Sequence, residues 1–243
     1  MNQLANVFFI SRKDIESYYS KPPLITWGIL FPAVLMLAIY VKDPTTYLDV
    51  APGLIAMTLL FGNTSMAAIV VTFEKRSGTL QRLLLTPVTI RTIVTGKAAS
   101  AAVYGIATSL VIMVGLICLL GMRIVNPFVL SIGLLLGAGT FSLLGLIASV
   151  MVREVFEAMT LMNLLRFPML FISGVFMPVA VFPAWIKPVS MISPLTYVVE
   201  LLRFGIFGES YFSSPWICIF VAAGFLVISW LLAGPAFGRS ADR

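Results

Sequence analysis

The 243-residue sequence contains no histidine, only two cysteines and few charged residues. The absence of histidine excludes Ser-His-Asp and Cys-His nucleophilic sites, and it excludes every zinc site with a histidine ligand. Charged residues make up 11% of the chain, against about 25% in an ordinary soluble domain, whereas hydrophobic residues make up 60% and the mean hydropathy is +1.04. Because so few polar groups cannot cover a water-soluble globule of this size, the composition excludes a cytosolic enzyme and predicts a membrane protein.

The two cysteines and the basic residues exclude further kinds of site. Cys118 and Cys218 each lie inside an apolar run, which favours plain packing over a disulfide or a metal site. The net charge is +6, but the 16 Lys and Arg residues form short clusters between apolar runs instead of one basic face. This distribution is typical of a positive-inside membrane protein, and it does not indicate a nucleic-acid partner.

Six stretches are apolar, nearly free of charge and close to the length of about 20 residues that a membrane-spanning helix needs. They cover residues 24–41, 52–73, 98–121, 127–152, 157–177 and 215–237. With both termini in the cytoplasm, eleven of the 16 basic residues lie inside and four lie outside, while Arg166 lies within the fifth span. We therefore predict an all-α polytopic membrane protein whose six transmembrane helices occupy a domain at residues 24–243.

Residues 1–23 precede the first span and predict a separate amphipathic helix at the cytoplasmic membrane interface. Its apolar residues recur at helical spacing: Leu4, Val7, Phe8, Ile15 and Tyr18. Asn6, Lys13 and Glu16 fall on the opposite side, and the prolines at 22 and 23 stop the helix. A disordered tail is the alternative interpretation.

The longest cytoplasmic connection, residues 74–97, contains a short predicted helix with clear limits. Gly78 permits a sharp turn, residues 79–85 are long enough for two helical turns, and Pro87 ends them. A leucine row on one side and polar residues on the other suit docking into a groove on a soluble partner. The candidate residues for this contact are Glu74, Gly78, Thr79, Leu80, Arg82, Leu83, Leu84 and Pro87.

Residues 178–213 are apolar but contain four prolines, so they cannot form one lipid-facing helix. A re-entrant hairpin fits better, with Ser193 as the N-cap and Pro194 as the first residue of its second helix. Glu200 and Arg203 lie three residues apart and can pair on one face of that helix. An ordinary extracellular loop is the alternative.

Two stretches resemble one known family. Residues 74–87 read Glu-Lys-Arg-Ser-Gly-Thr-Leu-Gln-Arg-Leu-Leu-Leu-Thr-Pro and are similar to the coupling segment of ABC-2 type transporter permeases, the membrane subunits of bacterial and archaeal ABC exporters. The second stretch resembles the fifth-span exit and re-entrant helices of that family: Ser173-Gly174-Val175-Phe176-Met177-Pro178, Pro183-Ala184-Trp185, Ser193-Pro194-Leu195-Thr196-Tyr197 and Arg203.

The resemblance implies a dimer of permeases in the inner membrane, expected to be a homodimer, bound to two ATPase subunits. A P-loop needs Gly-x4-Gly-Lys-Ser/Thr, whereas residues 95–98 read Thr-Gly-Lys-Ala. We therefore expect this chain to bind no cofactor and no metal, and we expect ATP and Mg²⁺ to bind to the separate ATPase subunit.

Three polar residues within the spans are candidates for the translocation pathway: Asn63, Asn163 and Arg166. An arginine near the bilayer centre costs about 2.5–3.5 kcal/mol on the insertion scale, so Arg166 should face protein or water. It either lines a cavity, where it could bind an anionic headgroup, or pairs with an acid such as Glu157 or snorkels between helices. For the outer gate the candidates are Pro194, Tyr197, Glu200 and Arg203.

The resulting hypothesis is an exporter permease that moves an amphipathic substrate, such as a drug, a lipid or a lipid-linked glycan. Alternating access would be driven by the ATPase. A permease that exports a cation, namely sodium, is an alternative. Cations would need acidic or carbonyl ligands, and the spans contain few of these. A membrane-embedded enzyme, or a channel without an ATPase, is the alternative from another class.

Overall fold

The computed structural model describes residues 3–18, 26–42, 47–152 and 154–241, and these residues form helices and no strand. A π-helical turn, Thr26–Leu30, precedes the second α-helix, and a 3-10 turn, Val179–Val181, precedes the eighth. The α-helices are α1 (Gln3–Tyr18), α2 (Phe31–Lys42), α3 (Tyr47–Arg76), α4 (Thr79–Leu84), α5 (Ile90–Leu120), α6 (Pro127–Met151), α7 (Val155–Ile172), α8 (Lys187–Ile192), α9 (Pro194–Phe207) and α10 (Pro215–Ala241).

Five of these helices are long and apolar enough to cross a membrane: α3, α5, α6, α7 and α10. They match the second to sixth predicted spans. The first predicted span, 24–41, begins outside the described residues and otherwise forms the π-helical turn and the 12-residue helix α2. Alone, α2 is about 18 Å long against a hydrocarbon core of about 30 Å, so the first predicted span, and with it the total of six, stays a prediction.

Helix α3 lies at the centre of the bundle, and its membrane-length window is completely buried. It packs against α5, α6, α7 and α9. The approach to α5 is especially close at Gly105, where an added Cβ would lie 2.1 Å from Oδ1 of Asn63. A side chain at position 105 would therefore push α3 and α5 apart.

Polar side chains begin two of the long helices. The Thr89 hydroxyl accepts a hydrogen bond from the Thr92 amide at 3.3 Å at the start of α5. In the same way, Oδ1 of Asn126 accepts from the Val129 amide at 3.2 Å at the start of α6. These contacts satisfy amide groups that have no partner within a first helical turn.

Helix α1 lies against α5, and its inward face matches the predicted one only in part. Ile10 and Asp14 are buried, whereas Phe8, which we assigned to the apolar face, is 62% exposed. Ile10 fits against Gly96 of α5, and Asp14 takes part in an ionic cluster described below. Val7, Ile15 and Tyr18 of the predicted apolar face are half-buried, so the prediction is wrong at Phe8 and misses Ile10 and Asp14.

Helices α8 and α9 form two unequal arms that meet at Ser193. Pro194 occupies the first turn of α9, as predicted. Ser193 precedes it but makes no side-chain cap, since its hydroxyl accepts a hydrogen bond from the Ser173 hydroxyl at 2.6 Å. Ser193 is therefore the N-cap residue by position, as predicted, but its hydroxyl ties the hairpin to Ser173 at the end of α7 instead of capping α9. Helix α9 packs against α3, α6 and α10.

Candidate functional site

The predicted coupling segment forms a short helix beyond the end of α3. Gly78 has φ of 71°, a left-handed conformation that favours glycine, and its amide donates to the Lys75 carbonyl at 3.2 Å. Helix α4 then runs over Thr79–Leu84, one residue shorter than expected. The Thr86 hydroxyl donates to the Leu83 carbonyl at 2.6 Å, and Pro87 follows at the surface.

The leucines of this segment do not form one docking face. Leu80 is buried in a core formed with residues of α3 and α5, and Leu84 packs against the same core. Leu83 is half-buried, while Leu85 is 87% exposed. Since positions four apart share a helix face, Leu80 and Leu84 pack α4 against this chain. The outward surface of the segment is formed by Thr79, Gln81, Arg82, Leu85 and Pro87.

Glu74 lies inside the protein and not on its outward surface. One carboxylate oxygen bonds to Lys13 of α1 and the other to Lys97 of α5. Asp14 lies 2.9 Å from Lys13 and 3.4 Å from Lys97, and the side chains of both acids are fully buried. We call Lys13, Asp14, Glu74 and Lys97 the ionic cluster. Its two positive and two negative charges balance, and it joins α1, α3 and α5.

The electrostatics of the ionic cluster depend on its burial. Burial raises the pKa of the Asp14 carboxyl above its ordinary value, while the positive charge of Lys97 opposes that rise.

Sequence reasoning missed Lys13, Asp14 and Lys97 as partners of Glu74. The available signal was the presence of opposite charges at the boundaries of three apolar segments.

The two residues after Glu74 reach two more helices. The Lys75 ammonium donates to three carbonyl oxygens at the end of α6, those of Ser149, Val150 and Val152, at distances of 3.2, 3.0 and 3.2 Å. Arg76 lies 3.4 Å from Glu154, which precedes α7. The three residues that lead into the turn at Gly78 therefore contact α1, α5, α6 and the start of α7.

Arg166 lies in the middle of α7 and is 1% exposed. Its Nε donates to the Thr64 hydroxyl at 2.7 Å, and Nη2 donates to the Ser65 hydroxyl at 3.0 Å. Nη1 donates to Oδ1 of Asn163 at 3.2 Å, and the guanidinium lies 4.8 Å from the centre of the Phe61 ring. These partners are neutral, so the structure does not support the interpretation that paired Arg166 with Glu157.

The other two candidate pathway residues have different surroundings. Asn163 is half-buried and lines a cavity of about 520 Å³ that Arg76 and Glu154 also line. Asn63 is fully buried, and its amide donates to the Leu59 carbonyl at 2.8 Å while its oxygen accepts from Ser142 at 3.4 Å. The structure thus brings Asn163 and Arg166 together, and it places Asn63 at the contact between α3 and α6.

Glu200 and Arg203 form the predicted ion pair, at 2.8 Å, with both side chains 2% exposed. The second Glu200 oxygen accepts from the backbone amides of Tyr211 and Phe212, at 3.0 and 3.3 Å. Arg203 also donates to the Gly174 carbonyl at 3.3 Å. The pair therefore connects α9 to the chain on both sides of the hairpin.

Tyr197 links the two helices of the hairpin by a hydrogen bond. Its hydroxyl donates to the Met191 carbonyl at 2.9 Å, which holds α9 against α8.

Across the described ranges, no group of three His, Cys, Asp or Glu side chains is placed to hold a metal ion.

The described residues form only helices, and five of these are long and apolar enough to cross a membrane, which is the pattern of a polytopic membrane protein. Residues 5–207 match the family model described as ABC-2 type transporter. This chain belongs to that family and is a transport permease, and the family implies an ABC ATPase partner.

Two curated relatives carry compatible names. The chain is 25% identical over 253 residues to the putative transport permease ycf38 of Cyanophora paradoxa, with 93% of this chain and 84% of the relative covered. It is 22% identical over 194 residues to the inner membrane transport permease YadH of Escherichia coli K12, with 77% of this chain and 75% of the relative covered.

Proposed function

We propose that this chain is the permease subunit of an ATP-driven exporter that moves an amphipathic substrate across the inner membrane. Two copies form the pathway, and separate ATPase subunits bind ATP and Mg²⁺. Residues 1–23 are the interfacial domain, residues 24–243 form six spans, and both termini are cytoplasmic. The name of the Escherichia coli relative and the excess of basic residues on one side support this location and orientation.

The observation that carries the proposal is the set of contacts made by Glu74, Lys75 and Arg76. These residues connect the end of α3 to α1, α5, α6 and the start of α7, immediately before the turn that begins α4. In this proposal a force applied to α4 reaches these elements through the two-residue turn at Ser77 and Gly78. This arrangement suits a permease whose conformation is changed from the cytoplasmic side by a second protein.

In this mechanism, closure of the ATPase dimer pushes on the outward surface of α4 and on α1. The ionic cluster keeps α1, α3 and α5 together during the movement, so these elements shift as one unit. At the other end, the Glu200–Arg203 pair holds α9 and its flanking segments as the outer gate. The pathway then alternates between inward-open and outward-open states, with Asn163 and Arg166 facing it.

Co-purification of an ATPase subunit with the tagged permease tests this function. Leu85→Asp should prevent association, because it places a charge on the outward surface of α4 where a partner would remove water from it. Leu85→Met keeps the size and apolar character, and it should associate as wild type does. Failure of wild type to retain an ATP-hydrolysing subunit, or retention by Leu85→Asp equal to that of wild type, would contradict the proposal.

A further inference from the structure

A second cavity, of about 490 Å³, lies between α3, α6, α7, α10 and the junction of α8 with α9. This volume is within the range of about 300–1,000 Å³ that is typical of small-molecule sites. Most of its wall is hydrocarbon, represented by Leu144, Ile147, Leu165, Met169 and Phe225. Arg166 and Thr64 form part of the same wall.

The charge of Arg166 has no counter-ion in this arrangement. Among the residues that the structure describes, Arg166 forms no ion pair, and its three hydrogen-bond acceptors are two hydroxyls and an amide oxygen. A guanidinium carries five N–H donors, so three bonds leave two donors for another group. A buried arginine with neutral partners and spare donors is suited to bind an anion, and carboxylates and phosphates match its planar geometry.

The buried arginine at Arg203 provides an internal comparison. It is as deeply buried as Arg166, but the Glu200 carboxylate neutralises it at 2.8 Å. At Arg203 the chain therefore supplies an acid to neutralise the buried arginine. At Arg166 it supplies an open apolar cavity instead.

We propose that this cavity binds an amphiphile with a single anionic headgroup, whose phosphate or carboxylate pairs with Arg166 while its hydrocarbon chain lies among the apolar residues. The inference rests on the proposed export function and specifies the chemical class of its substrate. Charge complementarity selects the headgroup, and the composition of the wall selects the tail. A resident membrane lipid would have the same chemistry as a transported one, so the experiment separates the two.

The first arm measures binding to the full-length permease in detergent, without ATPase, by native mass spectrometry. The probes are dioleoylphosphatidic acid and dioleoylglycerol, which have the same chains but differ in charge. Arg166→Met should weaken binding of phosphatidic acid at least tenfold and leave dioleoylglycerol unchanged. Arg91→Met is the matched control because it removes an exposed arginine with the same change in net charge. Equal phosphatidic acid affinities for the two variants would overturn the proposal.

A pair of neighbouring leucines tests the cavity without altering any charge. Leu165 lines the cavity, whereas Leu164 is 70% exposed and is not part of its wall. Leu165→Trp should fill the space and weaken binding of both probes, and Leu164→Trp should bind them as wild type does. This comparison stays decisive if Arg166→Met fails to fold. Unchanged binding by Leu165→Trp would show that the probes bind elsewhere and would overturn the site.

The second arm asks whether the bound amphiphile is moved. Vesicles that contain the permease with its co-purified ATPase are loaded with labelled phosphatidic acid in one leaflet, and transfer is followed after ATP addition. ATP-dependent transfer that Arg166→Met abolishes supports a transported substrate. Retention without transfer overturns that role and identifies a resident lipid. The second arm requires the co-purified ATPase, whereas the first arm does not. Loss of the charge-dependent binding in the first arm therefore counts against the cavity, and absence of a co-purified ATPase counts against the proposed function.

Discussion

Each carboxylate of the ionic cluster forms ion pairs with both lysines, so removing one charge leaves the remaining charges unbalanced. Glu74 contacts Lys13 and Lys97, and the Lys97 side chain is 1% exposed. Without Glu74, Lys97 would keep Asp14 as its nearest acid, at 3.4 Å. A buried charge that loses its partner cannot recover its hydration, and this makes such changes costly.

Glu74→Gln should therefore destabilise the purified permease by about 3–5 kcal/mol, measured by unfolding in detergent. The double variant Glu74→Gln with Lys97→Met should recover part of this loss, because it removes the unpaired lysine. Glu16→Gln is the control, since Glu16 pairs with Arg12 at the surface and should have little effect. Equal unfolding midpoints for Glu74→Gln and Glu16→Gln would argue against a stabilising cluster.

Arg203→Ala should loosen the outer end of the protein. It removes the cation that neutralises Glu200 and the donor to the Gly174 carbonyl, while the amides of Tyr211 and Phe212 remain. We expect faster amide hydrogen exchange in residues 173–178 and 208–213, and reduced transport. Lys187→Ala is the control, because its ammonium forms no ion pair within the described residues. The same exchange rates in both variants would contradict a gate held by this pair.

At the residue scale, sequence spacing identifies local pairs and misses distant ones. Glu200 and Arg203 share one helix face at a spacing of three, so their pairing could be predicted and is confirmed. The partners of Glu74 are 61 and 23 residues away, and the hydroxyls that bind Arg166 are 102 and 101 residues away. No periodicity in one segment reveals contacts that depend on how separate helices pack.

At the element scale, α4 shows how a correct helix can have a wrongly assigned face. The turn at Gly78 and the stop at Pro87 set its limits, and both follow from local backbone preferences. Its orientation depends on Leu80 and Leu84, which pack on a core that the segment itself does not contain. For the same reason α1 presents Ile10 and Asp14 inward instead of Phe8. Helix limits are local properties, whereas the buried face is set by the neighbouring elements.

Gly78→Val should misdirect α4, because a β-branched residue is strained at φ of 71°. We expect a loss of stability of about 1–2 kcal/mol together with a larger loss of ATPase association and of transport per ATP hydrolysed. The control is Gly115→Val in α5, where an added Cβ meets no atom within 4 Å. Normal ATPase association and normal transport per ATP hydrolysed in Gly78→Val would show that coupling does not depend on the orientation of α4.

At the scale of the whole molecule, the two ends of the bundle are held by different means. Among the described residues, the ion pairs of Lys13, Asp14, Glu74, Arg76 and Lys97 lie at the end that carries α4. The opposite end has the Glu200–Arg203 pair and hydrogen bonds to backbone groups. The end that would receive the force is thus joined across several helices, and the end that would open is held by fewer ionic contacts. This asymmetry is compatible with the basic residues being concentrated on one side.

The orientation of the bundle gives the last prediction, which single cysteines can test. Both native cysteines are first replaced by serine, because Cys118 is exposed. A cysteine at Ser77, beside the coupling segment, should then react with a membrane-impermeant maleimide only when the cytoplasmic face is accessible. A cysteine at the exposed position Glu209, between α9 and α10, should react in intact cells. The physical reason is the energetic preference of basic loops for the cytoplasmic side, and the segment around Ser77 holds Lys75, Arg76 and Arg82. Labelling of Ser77→Cys in intact cells would place α4 outside, where no ATPase could reach it, and would refute the orientation and the coupling mechanism together.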